Sequence, residues 1–280
     1  MKSTSSLFRV HLAVLFFGLA GLFGKWIELP SSIITWGRCA FAFVALFFLI
    51  LFSKERFALK YTNHYGAFAG LGILLALHWW AFFHSIQISS VAVGVLTFST
   101  FPVFTVFLEP LFFKEKIRWP FIVAAIVTAG GIACIVPTFD ISHSTTVGVI
   151  FGVLSGLSFA VLQIANRKYV QTYSSRLITF YQTGVAAFTL LPVVSFSGSG
   201  FSLPNAGMLM VLGVLCTATA YSLFISGLRS VKVTTASIIA SLEPVYGIVF
   251  AMLFLHEIPL WKEICGGVII LSAASWVSLK

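Results

Sequence analysis

Residues 91–122, VAVGVLTFSTFPVFTVFLEPLFFKEKIRWPFI, return in outline 142 positions later as residues 233–264, VTTASIIASLEPVYGIVFAMLFLHEIPLWKEI. Without a gap, Val91 falls on Val233, Ser99 on Ser241, Pro102 on Pro244 and Val103 on Val245. Leu111-Phe112 falls on Leu253-Phe254, Glu115 on Glu257, Trp119 on Trp261 and Ile122 on Ile264. Apolar segments match one another by chance, but a proline, a glutamate and a tryptophan in one register are hard to produce that way. Upstream at the same offset, Trp79 meets Tyr221 and Phe82 meets Phe224; at an offset of 144, Ile34-Thr35 meets Ile178-Thr179 and Arg38 meets Gln182. The two Leu-Glu-Pro triplets, 108–110 and 242–244, lie out of register and are coincidental.

The composition decides what is repeated. Of 280 residues, 59% are hydrophobic and 9% charged, where about a quarter charged is usual for a soluble protein. Mean hydropathy is +1.03. Soluble globular, disordered, collagen-like, coiled-coil and disulfide-rich classes are excluded. About 20 apolar residues cross a bilayer as a helix, and ten such runs are present: 10–26, 33–52, 65–83, 91–113, 119–137, 147–164, 177–196, 206–228, 233–255 and 261–279. They are continuous rather than alternating, which excludes a porin-like barrel. The first run has no small-x-small cleavage site before Lys25-Trp26 and reads as a retained helix. Five runs per repeat is an odd number, so the second copy enters the membrane the other way up. The expected fold is an all-α polytopic membrane protein: ten transmembrane helices as two inverted five-helix repeats, 1–138 and 145–280. Inverted repeats of this kind recur in secondary transporters.

The excess of basic residues, 17 Lys and Arg against 8 Asp and Glu, is spread over loops rather than gathered on one domain, so no nucleic-acid partner is implied. Fourteen of the 17 fall on one side if the spans alternate: Lys2, Arg9, Lys54, Arg56, Lys60, Lys114, Lys116, Arg118, Arg167, Lys168, Arg176, Arg229, Lys232 and Lys280. Lys25 and Lys262 fall on the other and Arg38 within a span. This positive-inside bias puts both termini in the cytoplasm, as for a multi-pass protein of a bacterial inner membrane. Cys39, Cys134, Cys216 and Cys265 lie in apolar runs without paired spacing and read as small buried hydrophobes rather than as a disulfide or metal set.

Two further stretches resemble a known family. One runs Leu77-His78-Trp79-Trp80-Ala81-Phe82-Phe83 and on through Ile86-Gln87-Ile88-Ser89-Ser90-Val91-Ala92-Val93-Gly94. The other is Ser241-Leu242-Glu243-Pro244-Val245, then Leu255-His256-Glu257, with Gly266-Gly267 in the last run. Both are similar to the EamA-type branch of the drug/metabolite transporter superfamily. The resemblance implies ten helices, cytoplasmic termini, and a central cavity lined by helices 1, 3, 4, 6, 8 and 9. It also implies transport of amino acids or other small metabolites, often outward. One departure is His256, where the family commonly has Gly before the second glutamate; the first copy has Lys114 there.

No G-x-x-x-x-G-K-[ST] loop is present, which leaves an ion or solute gradient as the driving force and no cofactor. Charges in mid-membrane mark function. Glu243, some ten residues into its run, is the leading candidate for substrate binding and for proton coupling. Arg38 is a candidate partner for a substrate carboxylate, with anchoring by snorkelling as the structural reading. His78 and Trp79 form a polar-aromatic wall with Trp80, or plain core packing. Trp36, Gln163, Tyr181, Tyr221 and Tyr246 are further lining candidates. Glu109, Glu115, Glu257 and His84 read as structural, and Trp119 and Trp261 as interfacial anchors. Gly148, Gly152 and Gly156, and separately Gly66 and Gly70, are spaced for close helix approach.

The residues thus point to a secondary-active exporter of an amino acid or related metabolite, working by alternating access. Efflux of cationic or drug-like compounds and a non-transporting scaffold are the alternatives. An intramembrane enzyme lacks a G-x-S-x-G motif, paired aspartates or a ligand cluster. Expected partners are a small-molecule substrate, the bilayer and a proton or counter-solute gradient, with a homodimer left open.

Overall fold

A computed structural model describes residues 2–113, 119–136, 140–197 and 202–278; Lys114, Glu115, Lys116, Arg118 and Lys280 lie outside them. The described residues form helices joined by loops, with no strand among them. The first repeat holds α1 (Lys2–Trp26), α2 (Ser31–Phe52), α3 (Asn63–Ile88), α4 (Val91–Phe98), α5 (Phe101–Phe113) and α6 (Trp119–Ile135). The second holds α7 (Ser144–Tyr169), α8 (Ser175–Ser197), α9 (Leu203–Gly213), a π-helical segment (Val214–Thr219), α10 (Ala220–Gly227), α11 (Val233–Ala240), α12 (Glu243–Phe254) and α13 (Trp261–Ser278). Eight segments are long and apolar enough to cross a membrane, and Ile122–Ile135 is a shorter apolar helix.

Two of the expected continuous helices are broken, for one reason. Proline has no N–H and its ring crowds the carbonyl four residues back. Pro102 therefore faces Phe98, where α4 ends, and Pro244 faces Ala240, where α11 ends. The breaks at residues 99–100 and 241–242 are thus repeat-equivalent. The run 206–228 is also interrupted: Thr217 Oγ1 donates to Leu212 O at 2.9 Å, five residues back, within the π-helical stretch. Such bulges leave a backbone carbonyl free for other partners.

Packing matches between the repeats. In the second repeat α7 packs on α3, α4 and α5; in the first, α1 packs on α10, α11 and α12, while α2 pairs with α8 and α6 with α13. The glycines of α7 permit the first set. A Cβ on Gly148 would lie 2.7 Å from Ser89 Oγ, and one on Gly156 2.7 Å from Phe98 O. Gly66 and Gly70 face open space, so the close approach expected there is absent; Gly72, against Val185, makes it instead. Outward-facing Val44, Phe47, Leu51, Ile126 and Leu253 are exposed, as a lipid-facing surface requires. Cys39 and Cys216 are buried but Cys134 is exposed, so that thiol is not a core residue.

At one end of the bundle, connections of the two repeats are cross-linked. Glu257 Oε1 accepts from Val91 N, the first residue of α4, at 2.6 Å, and Glu263 Oε1 accepts from Ser90 Oγ at 3.1 Å. Lys25 Nζ donates to Ser89 O at 2.8 Å. The turn that presents Glu257 bends through His256, whose φ of 55° is left-handed. That explains the glycine of the resembling family at this position, since glycine alone enters this region without a steric penalty. At the opposite, basic end, Tyr181 Oη donates to Phe57 O at 2.9 Å and His64 Nδ1 lies 2.7 Å from Tyr173 Oη.

Candidate functional site

Midway along the bundle, where α4–α5 and α11–α12 are broken, side chains from both repeats surround a narrow cavity of about 30 Å³. Arg38, His78, Trp79, Tyr221 and Glu243 line it, together with Phe17, Ala20, Phe82, Phe98 and Phe159. Phe17 is half-buried and all the others are buried.

Arg38 does not snorkel. It is 2% exposed, held by the π-helical segment through Nε to Thr217 Oγ1 (2.9 Å) and Nη2 to Cys216 O (3.4 Å). Its guanidinium lies over the Trp79 ring, 3.9 Å from the centroid, a cation–π contact strengthened by burial. The irregular turn supplies the acceptors that a regular helix would have used internally. Glu243 comes from the opposite repeat, in the first turn of α12. It does not lie deep within a continuous helix, as the unbroken run suggested, but at the start of a half-helix. No hydrogen bond ties its carboxylate to the described residues. A buried arginine and a buried carboxylate therefore share one small space.

His78 Nδ1 lies 3.0 Å from Ser155 O and 2.9 Å from Ser155 Oγ, and the ring stacks on Phe159 at 5.2 Å. Trp80 faces away, against His84 and Phe151. Tyr221 closes a ring of hydrogen bonds: Asn166 Nδ2 donates to Tyr221 Oη (2.8 Å), Tyr221 Oη to Gln182 Oε1 (3.0 Å), and Gln182 Nε2 to Asn166 Oδ1 (2.7 Å). Gln182 and Tyr221 are the repeat equivalents of Arg38 and Trp79. Each pair is in contact, one by cation–π attraction and the other by a hydrogen bond.

Four sequence candidates lie elsewhere. Gln163 is one turn past Phe159 on α7, beyond the end of the cavity, where its amide donates to Thr105 Oγ1 (2.6 Å) and accepts from Ser237 Oγ (3.2 Å). Trp36 is two residues from Arg38, about 200° around α2, and is half-buried outside the cavity wall. Tyr181 sits among Tyr65, Phe68 and Phe180 near the basic end. Tyr246 packs where Gly18 of α1 lacks a side chain. The sequence reading missed Phe17, Ala20, Phe82, Phe98 and Phe159 as lining groups. With 30 phenylalanines in the chain, no single one stands out; Phe98 had a signal, since Pro102 lies four residues beyond it.

Known proteins place this arrangement. The profile of the EamA-like transporter family matches residues 4–136 and again 146–279. An uncharacterized transporter of Bacillus subtilis (strain 168) is 27% identical over 262 residues, covering 90% of this chain and 83% of that protein. An S-adenosylmethionine uptake transporter of Rickettsia conorii is 27% identical over 208 residues, covering 74% and 69%. A solved crystal structure superposes with a TM-score of 0.71 at 14% identity, over 99% of this chain and 97% of that one, and speaks to the fold alone. Two matching units that span nearly the whole chain make this multi-pass membrane protein a member of the EamA-like transporter family, the drug/metabolite transporters.

Proposed function

We propose that the protein is a secondary-active transporter that moves a small amino-acid-like metabolite by alternating access through the Arg38–Glu243 cavity. Ten membrane-crossing helices in two inverted five-helix repeats supply the machinery. Repeat-equivalent helix breaks, and the equivalent contacts Arg38–Trp79 and Gln182–Tyr221, support that symmetry. Two units of one shape exchange conformations, and exchange carries the shared cavity from one face to the other. The positive-inside bias puts both termini and the basic end in the cytoplasm.

One observation carries the substrate class: opposite charges from different repeats face a single space walled by aromatic rings. A substrate ammonium meets Glu243, which has no competing hydrogen bond. A substrate carboxylate meets Arg38 Nη1, since Nε and Nη2 are taken. An apolar or aromatic side group stacks among Phe17, Phe98 and Phe159. S-adenosylmethionine, carried by the Rickettsia relatives, is an amino acid of this kind, with an added positive charge and a flat base. The family resemblance favours outward transport, against the uptake named for the Rickettsia relatives; direction itself follows the gradient that drives the cycle.

Glu243 is also the group that would carry a proton, because it is the buried carboxylate of the cavity. In proteoliposomes, Glu243→Gln is expected to abolish uphill transport driven by a proton gradient and to keep substrate exchange. The substrate is found by comparing metabolites in cells and medium with and without overexpression. Uphill transport that persists unchanged in Glu243→Gln would refute the coupling role.

A further inference from the structure

Apart from the central cavity, the bundle carries a second recess, at its basic end. A groove of about 550 Å³ opens between α2 and α10, with Arg9 of α1 and the start of α8 at its mouth. It continues into a recess of about 250 Å³ that contains Glu55 and Arg229 and shares Arg9 and Arg176 with the groove. On α10 and the π-helical segment, the wall runs from Ser226 through Ser222 and Ala218 to Val214. Twelve residues at 1.5 Å each make this about 18 Å, close to the half-thickness of a bilayer's hydrocarbon. The facing wall is Ala45, Leu46 and Leu49 of α2. Leu49 and Val214, at the rim, are exposed in the band that faces lipid.

The mouth is polar in a specific way. Arg9 has no polar partner among the described residues, and Arg176 makes one bond, to Ser53 Oγ at 3.1 Å. Arg229 is held by Val170 O (2.9 Å) and Tyr173 O (3.0 Å). Glu55 Oε2 is buried without a hydrogen-bond partner. A buried carboxylate oxygen without a donor is unfavourable until a donor arrives. The two underused arginines need an anion and Glu55 needs an N–H.

We infer that this groove binds an aminophospholipid, phosphatidylethanolamine in type, from the leaflet at the basic end. Its phosphate lies on Arg9 and Arg176, its primary ammonium donates to Glu55, and one acyl chain runs past the serines of α10 to the apolar far part of the groove, between Leu46, Leu49, Ala218 and Val214. A purely anionic headgroup brings no positive charge to Glu55, and a trimethylated one has no N–H to give. A free small zwitterion matches the mouth but leaves the long apolar walls empty. Between α2 and α10 the chain would hold apart two helices on which Arg38 and Tyr221 depend.

The test reconstitutes the full-length protein in nanodiscs of equal parts phosphatidylethanolamine, phosphatidylcholine and phosphatidylglycerol, and counts retained lipids by native mass spectrometry. Phosphatidylethanolamine is expected to be retained in preference to both others. Arg9→Ala and Arg176→Ala should each lower its retention about five-fold, the effect of one basic residue at a membrane surface. Glu55→Gln, nearly isosteric, should erase the preference over phosphatidylcholine, which keeps the test valid if an arginine variant fails to fold. Retention without headgroup preference, a preference for phosphatidylglycerol, or an unchanged preference in Glu55→Gln would overturn the site. The readout uses no transport substrate, so its failure leaves the reading of the central cavity untouched.

Discussion

A single arginine shows how far residue types alone can lead and where they stop. Arg38 stood out because a charge in an apolar run is costly, but its depth equally allowed snorkelling. The deciding partners, Thr217 and Cys216, are 178–179 residues away and belong to a π-helical turn with no sequence signature. Lysine has one compact head and cannot reach Thr217 and Cys216 O while lying flat on Trp79. Arg38→Lys is therefore expected to lower apparent substrate affinity about ten-fold in a flux assay, near 1.4 kcal/mol, with the folded yield unchanged. Gln163 shows the opposite case. Its polarity made it a cavity candidate, but a helix advances about 6 Å in four residues, which puts it past the last cavity residue of α7 and into a packing bond. At His256 the departure from the resembling family's glycine is now a backbone fact, a φ of 55°. His256→Gly should raise stability by about 1 kcal/mol, read as a higher midpoint of thermal unfolding in detergent.

Helices were legible by hydropathy, their interruptions much less so. Runs 91–113 and 233–255 read as continuous because every residue around the breaks is tolerated in a membrane helix. The matched prolines were on view, but their consequence, two half-helices meeting at the cavity, depends on neighbours that satisfy the freed backbone. The α7 glycine stripe was read correctly as a packing face, while the identical spacing at Gly66 and Gly70 met nothing, since spacing does not say what lies opposite. The turn between α12 and α13 is the element that ties the repeats at the non-basic end, through Glu257 on the N-terminus of α4. A carboxylate at a helix start is favourable by hydrogen bond and by dipole. Glu257→Ala should loosen that end: a membrane-impermeant thiol reagent applied from that side should label Cys residues placed in the cavity several-fold faster than without the substitution.

At the scale of the molecule, the all-helical, multi-span membrane class followed from arithmetic, because charge fraction is a global property that no single misplacement upsets; where ten spans were expected, the described residues hold eight long enough to cross and one shorter apolar helix. The cavity was only half legible. Arg38, His78, Trp79, Tyr221 and Glu243 converge on it, and five phenylalanine or alanine neighbours were hidden among similar residues. The mechanism we propose rests on one space between two repeats that is served in turn from both faces. Ala20, small and lining the cavity, reports on this directly. In a background without the native cysteines, Ala20→Cys would be challenged with a membrane-impermeant thiol reagent on right-side-out and on inside-out vesicles. Alternating access requires labelling from either side, slowed in both cases by bound substrate; labelling from one side alone, whatever the substrate and gradient, would contradict it.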